Sequence, residues 1–143
     1  MEESISFFSE DTDFQLLDQK LVSEWIFQIV KRHKFTIAQI DFIFCSDEYL
    51  RKINKDYLNH DYYTDIITFP YHPEGSKEIF SDIYISVDRV QENSEEFKCT
   101  FIDELHRVMI HGVLHLLGFD DKEEKSKSEM RRAEDLALAL RMF

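Results

Sequence analysis

Glycine is scarce in this chain, with three among 143 residues: Gly75, Gly112 and Gly118. No GxGxxG loop for a dinucleotide can be written with them. The Walker pattern fails as well, because Gly112 and Gly118 stand one residue too far apart and Phe119 follows where a lysine is required. The two cysteines, Cys45 and Cys99, lie far from any CxxC, which excludes a disulfide framework and a cysteine-based zinc site and fits reduced cytoplasmic thiols. No Pro/Gly/Ser linker, internal repeat or low-complexity tract breaks the chain, so residues 1–143 read as one domain. Basic residues are outnumbered 17 to 29, for a formal charge of −12. Adhesion to nucleic acid or acidic membrane through net charge is thereby excluded, and an RNA partner would need a local basic patch. Long apolar runs are missing too. The longest, Val108 to Phe119, is too short to cross a bilayer and carries two histidines. The start, Met1-Glu2-Glu3-Ser4, is acidic where a signal peptide needs positive charge, so the expected setting is the cytoplasm.

What the chain does have is core material: 43% hydrophobic residues, 14% aromatic, thirteen of them Phe. That suffices to bury a core without disulfide or metal staples. Ile5 to Phe8 reads as a first strand. Asp13 to Lys34 reads as an amphipathic helix with Phe14, Leu17, Leu21, Trp25 and Ile29 on one stripe, ending in cations that suit a helix C-terminus. Ile37 to Cys45 is β-rich. Ser46 or Asp47 then opens a short helix to about Leu58, and Asp65 to Tyr71 reads as a strand stopped by Pro70 and Pro73. Ile79 to Val87 alternates with period two, Ile79, Ile83, Ile85 and Val87 on one face and Asp82, Tyr84 and Ser86 on the other. Helical patterns follow over Asp88–Phe97, Thr100–Leu117 and Glu123–Met142. Strands and helices mix without strict βαβ alternation. The expectation is an α+β domain: a small mixed sheet of about four strands against about five helices, with a central metal-binding helix.

The chemistry concentrates in His111-Gly112-Val113-Leu114-His115-Leu116-Leu117-Gly118-Phe119-Asp120-Asp121. Histidines four apart on a helix stand one turn apart on nearly the same face, so both imidazoles can address one ion. Both fall on the edge of the apolar stripe formed by Phe101, Leu105, Val108, Met109, Gly112 and Leu116, and Glu104 shares that edge two turns earlier. Gly118 suits a left-handed helix end, which lets the chain fold back and offer Asp120 or Asp121 as a third ligand. His-x3-His-x2-Gly-x2-Asp is the metzincin spacing with two changes: Gly112 stands for the glutamate base and Asp121 for the third histidine. Bland readings accompany these. The histidines could be satisfied core residues, and Asp121 with Glu124 could cap the last helix.

The same residues resemble the YbeY family of bacterial ribosomal-RNA maturation endonucleases. Its signature HGxLHLxGxDH is matched by His111, Gly112, Leu114, His115, Leu116, Gly118 and Asp120. A second block, similar to LNxxYRxxDxPTDVLSFP, is matched by Asn54, Tyr57, Asp61, Thr64, Asp65, Phe69 and Pro70, and the GDI strand motif by Ser81-Asp82-Ile83. Three positions depart from the pattern. Asp121 replaces the third zinc histidine, Leu58 occupies the family's arginine position, and Tyr63 stands where the motif has proline.

The resemblance implies a metal-dependent, single-strand-specific endoribonuclease in ribosomal-RNA maturation, at the 3′ end of the small-subunit RNA, and in ribosome quality control. It also implies one divalent ion, zinc before others, held by His111, His115 and Asp121. The implied partners are ribosomal RNA and the ribosome or its small subunit, with neither membrane nor DNA. Asp65 and Asp82 are the candidate bases, each with an ordinary alternative: a turn beside Thr64 for Asp65, a polar strand face for Asp82. Arg51, Lys52, Lys55 and Arg89 are the candidates for a basic groove. Two other readings stay open: a metal-stabilised ribosome-associated factor without catalysis, and a metallohydrolase on another substrate such as a peptide, against which the lack of a glutamate beside His111 speaks.

Overall fold

A computed structural model describes residues 4–143. Along the chain run β1 (Ile5–Glu10), α1 (Gln19–Arg32), β2 (Thr36–Cys45), α2 (Asp47–Leu58), β3 (Ile66–Pro70), β4 (Glu78–Ser86), α3 (Val87–Glu96), α4 (Phe101–Leu116) and α5 (Glu124–Ala139). The strands form one mixed sheet in the order β1-β2-β4-β3, parallel throughout except for β3, which runs antiparallel to β4. Four strands and five helices make the expected α+β domain.

The sheet separates two apolar layers because its central strands are apolar on both faces. Ile40, Phe42, Phe44, Ile79, Ile83 and Ile85 pack against α1 and α4 through Ile26, Ile29, Leu105, Met109 and Val113, all buried. On the other face Cys45, Ile67, Phe69 and Tyr84 meet Tyr49, Leu50 and Ile53 of α2. Each fully buried Phe or Ile of the larger layer stabilises the fold by about 1.5–3 kcal/mol relative to exposure. No helix among the described residues is long and apolar enough to cross a membrane.

Local signals placed most helices correctly. The Ser46 hydroxyl accepts the Tyr49 N–H at 3.1 Å, and the Thr100 hydroxyl accepts the Asp103 N–H at 3.0 Å. Caps of this kind contribute about 1 kcal/mol each. The first helix is the correction. It begins at Gln19, not Asp13, because Asp18 adopts a left-handed conformation with φ 59°, and the segment before it tucks Phe14 and Leu16 into the core without helical turns. Leu17 and Leu21 of the expected stripe are exposed, and Val22, Trp25, Ile26, Ile29 and Val30 form the buried face.

Candidate metal centre

Helix α4 is the central helix: Leu105, His106, Val108, Met109, Ile110, Gly112, Val113 and Leu114 are all buried. It approaches the sheet closely at Gly112. A Cβ there would stand 2.7 Å from Ile66 Cδ1, 3.3 Å from Ile83 Cγ2 and 3.5 Å from Thr68 Cγ2. The absent side chain thus lets the histidine-bearing turn settle against β3 and β4. Beyond Leu117 the helix stops in a Schellman arrangement: the Gly118 N–H donates to the His115 carbonyl and the Phe119 N–H to the Leu114 carbonyl, each at 3.0 Å. Gly118 takes φ 104°, a conformation that costs other residues free energy and turns the chain back along the helix.

That reversal brings Asp121 over the histidines. Its Oδ2 lies 3.3 Å from His111 Nε2 and 3.5 Å from His115 Nε2. The two rings are 4.7 Å apart at 82°, and one donor atom from each of the three residues falls within 4.8 Å of the others. Ligand bonds of about 2.0–2.1 Å at tetrahedral angles require donor separations of about 3.4 Å, so both Asp121 contacts match a divalent ion in distance, and the three residues match one in chemistry. Asp120 is a turn residue, its Oδ1 accepting the N–H groups of Asp121 at 2.7 Å and Lys122 at 3.2 Å. Asp121 does not cap α5. That end is closed by Ser126, whose hydroxyl accepts the Glu123 N–H at 3.0 Å, which leaves the Asp121 carboxylate to the histidines.

Behind His111 lies a polar layer that the sequence reading did not assemble. His111 Nδ1 is 2.6 Å from Glu134 Oε2, and Glu134 Oε1 accepts from Arg107 at 2.8 Å. Arg107 in turn binds Asp135 at 2.8 Å. Burial alone would depress the His111 pKa, but the hydrogen bond and charge of Glu134, with Asp121 and Asp65 nearby, outweigh it and raise the value. Glu134 shows the converse: burial pushes its carboxyl up, and His111 and Arg107 together hold it below the usual range. The available signal was its place in the buried stripe Met130, Glu134, Ala137 of α5, where an acid is out of character.

Of the two candidate bases, the structure brings one beside His111. Asp65, half-buried at the start of β3, lines a cavity of about 140 Å³ with Glu104, Arg107, Val108, His111 and Glu134. Burial raises its pKa against the lowering influence of His111. Glu104, on the stripe edge already noted, is also raised, by burial first and then by Asp65. Asp82 does not join them. It alternates with Ile83, whose side chain faces α4, so it lies on the opposite sheet face, where its carboxylate accepts the Tyr71 hydroxyl at 2.7 Å. The other four histidines stand apart: His33 ends α1 against Phe119, His106 is buried against Trp25 and Phe143, and His60 and His72 lie outside the helices and strands. Of the basic candidates, Arg51, Lys52 and Lys55 share one face of α2 around a cavity of about 200 Å³ with Glu48 and Asp61. Arg89, on α3, meets Arg51 only across the Tyr63 ring, each guanidinium 5.2 Å from its centroid. Leu58, at the family's arginine position, is 39% exposed.

A mixed four-stranded sheet, a buried central helix carrying two histidines and a carboxylate from the following turn define a small α+β domain whose central helix and turn bring together three groups that could hold a metal ion. The family is equally defined: this chain belongs to the YbeY family, whose model, described as Endoribonuclease YbeY, matches residues 5–140. A Cytophaga hutchinsonii protein named Endoribonuclease YbeY is 50% identical over 142 residues, 99% of each chain. A Christiangramia forsetii protein of the same name is 48% identical over 136 residues, 95% of this chain and 93% of its own. Among solved structures, that of TM1509 from Thermotoga maritima superposes with a TM-score of 0.66 at 30% identity, covering 94% of this chain and 86% of that one.

Proposed function

We propose that this protein is a metal-dependent endoribonuclease that cuts single-stranded ribosomal RNA, at the 3′ end of the small-subunit RNA, and serves ribosome quality control in the cytoplasm. The observation that carries the reading is the single Asp121 oxygen set 3.3 and 3.5 Å from two imidazole nitrogens in a chain of the YbeY family. The ion is a divalent cation, zinc first, held by His111, His115 and Asp121. When bound, it supplies Lewis-acid activation of water and of a phosphoryl oxygen.

The chain's own residues do the rest. His111 and His115 present ring nitrogens from a helix pinned to the sheet at Gly112, so the donor set is held rigidly. Asp65 faces the cavity beside His111 and takes the proton of the attacking water there. The three carboxylates lining that cavity repel phosphate, so the RNA strand approaches from outside it. Arg51 is held in ion pairs with Glu48 and Asp61, which leaves Lys52 and Lys55 of α2 to meet phosphate elsewhere on the surface. A second reading, a ribosome-associated factor that holds metal without cutting RNA, is favoured by Leu58 and by the ion pairs that occupy Arg51 and Arg89. Cleavage of a fluorescent single-stranded RNA separates the two. Endonuclease readings require activity in the parent that falls at least a thousandfold in His115→Ala. Activity equal in both proteins refutes the site, and no activity in a metal-loaded parent supports the second reading.

A further inference from the structure

We infer that Glu134, itself clamped by Arg107, is the positioning residue that fixes the His111 imidazole with Nδ1–H turned inward and Nε2 turned to the ion. The inference rests on the metal site proposed above and adds a residue that contacts no ion or substrate. Glu134 is 5% exposed in the middle of the buried face of α5. A carboxylate so placed costs folding free energy unless both oxygens are engaged. Both are, and by different partners: Oε1 takes Arg107 and Oε2 takes His111 Nδ1 at 2.6 Å. A role confined to neutralising Arg107 would not need a buried acid, since Asp135, half-exposed, already binds the same guanidinium at 2.8 Å.

The contact also decides which ring nitrogen is free. With Nδ1–H donating to Glu134, Nε2 keeps its lone pair and points at Asp121 Oδ2, 3.3 Å away. A histidine whose other nitrogen is bonded to a carboxylate is a stronger and better oriented ligand, and losing such a partner typically costs 10–100-fold in metal affinity. The site is asymmetric in this respect. His115, with a third of its side chain exposed, has no such partner among the described residues. Orientation therefore enters the site from α5 through one histidine only.

Glutamine at 134 keeps the shape but offers one acceptor oxygen in place of two, so it can satisfy His111 or Arg107 and not both. The test measures zinc affinity by competition with a chromogenic chelator in the parent, Glu134→Gln, Glu134→Ala and Asp135→Asn. The same proteins loaded with Co²⁺ are examined for the strongly shifted ring N–H proton resonances of the two histidines. The expected result is a 10–100-fold weaker zinc affinity in both Glu134 variants and parental affinity in Asp135→Asn. In the parent one shifted N–H, that of His111, exchanges slowly with solvent. It exchanges fast in Glu134→Ala while the His115 signal is unmoved, a change that a merely structural acid would not produce. Thermal melts keep the reading clean, and Glu134→Gln carries it where the alanine variant does not fold. Parental affinity and an unchanged slow signal in both Glu134 variants overturn the inference alone. Zinc binding that survives His111→Ala and Asp121→Ala overturns the ligand set and the inference together.

Discussion

Replacing Gly112 by alanine tests how the histidine helix is seated. In the interior of an isolated helix the change is favourable by about 1 kcal/mol, since alanine is the better helix former. Here the new methyl group would meet Ile66 Cδ1 at 2.7 Å and Ile83 Cγ2 at 3.3 Å. Ile66 is half-buried and its terminal carbon can swing, but Ile83 is fully buried and β-branched, so it cannot. Relief requires α4 to move away from the sheet at β4 and its neighbour β3 by about 0.5–1 Å, a repacking that costs about 1–3 kcal/mol. The balance is a net loss of about 1 kcal/mol, or a melting temperature about 3 °C lower for a domain of this size. The effect on chemistry is larger. Ile66 adjoins Asp65, and Gly112 adjoins His111, so the same displacement opens the distance between the candidate base and the donor set. Misplacement of that order reduces RNA cleavage by at least about tenfold. Differential scanning calorimetry and single-turnover cleavage of the labelled RNA measure the two effects. An alanine variant that is about 1 kcal/mol more stable than the parent and fully active would refute the close-approach argument.

Three further outcomes are expected. His106 is buried against Trp25 and Phe143 with Arg141 at 2.9 Å from its Nδ1, and burial followed by that guanidinium holds its pKa down to about 4. The unfolded chain takes up a proton that the folded one refuses. Stability therefore falls by about 3 kcal/mol as pH drops from about 6.5 to about 4 and is unaffected above that window. Urea titrations should show a flatter acid limb in His106→Gln, and an unchanged slope would contradict the assignment. Asp121→His trades a hard oxygen for a nitrogen, so its preference for Zn²⁺ over Mn²⁺ should rise by about tenfold or more in competition titrations; identical preferences would sink the idea. The Cys45 thiol is fully buried and pushed up to about 12 by burial and by the carboxylates around it, Asp88 first, whereas Cys99 is exposed. Iodoacetamide at pH 8 should label Cys99 and leave Cys45 intact in the folded protein, as peptide mass spectrometry reads directly.

How much of this could be read from the chain depends on the range of the signal. The i, i+4 histidines, Gly118 and the acids after it are all local, and their geometry follows from helix periodicity and one left-handed residue. The β4 alternation and the Ser46 and Thr100 caps are local as well. The start of α1 was lost because Phe14, Leu17 and Leu21 mimic helical spacing, whereas Asp18 in a left-handed conformation sets the boundary and Phe14 and Leu16 reach the core from an irregular segment. Alternation placed Asp82 on a polar face, but only the sheet order and the packing of α4 decide that this face points away from the histidines. Glu134 needs the most distant information. Its partners lie on α4, 23 and 27 residues earlier, and although its place in the apolar stripe of α5 marks it as an unusual acid, α5 alone does not say that it meets His111.

The central claim, that His111, His115 and Asp121 hold a divalent ion, is met most directly by elemental analysis of the purified protein beside His111→Ala and Asp121→Ala. The account predicts about one equivalent of metal in the parent and its loss from both variants. Metal retained in full by both variants, or a parent that takes up none after reconstitution with zinc, would contradict it.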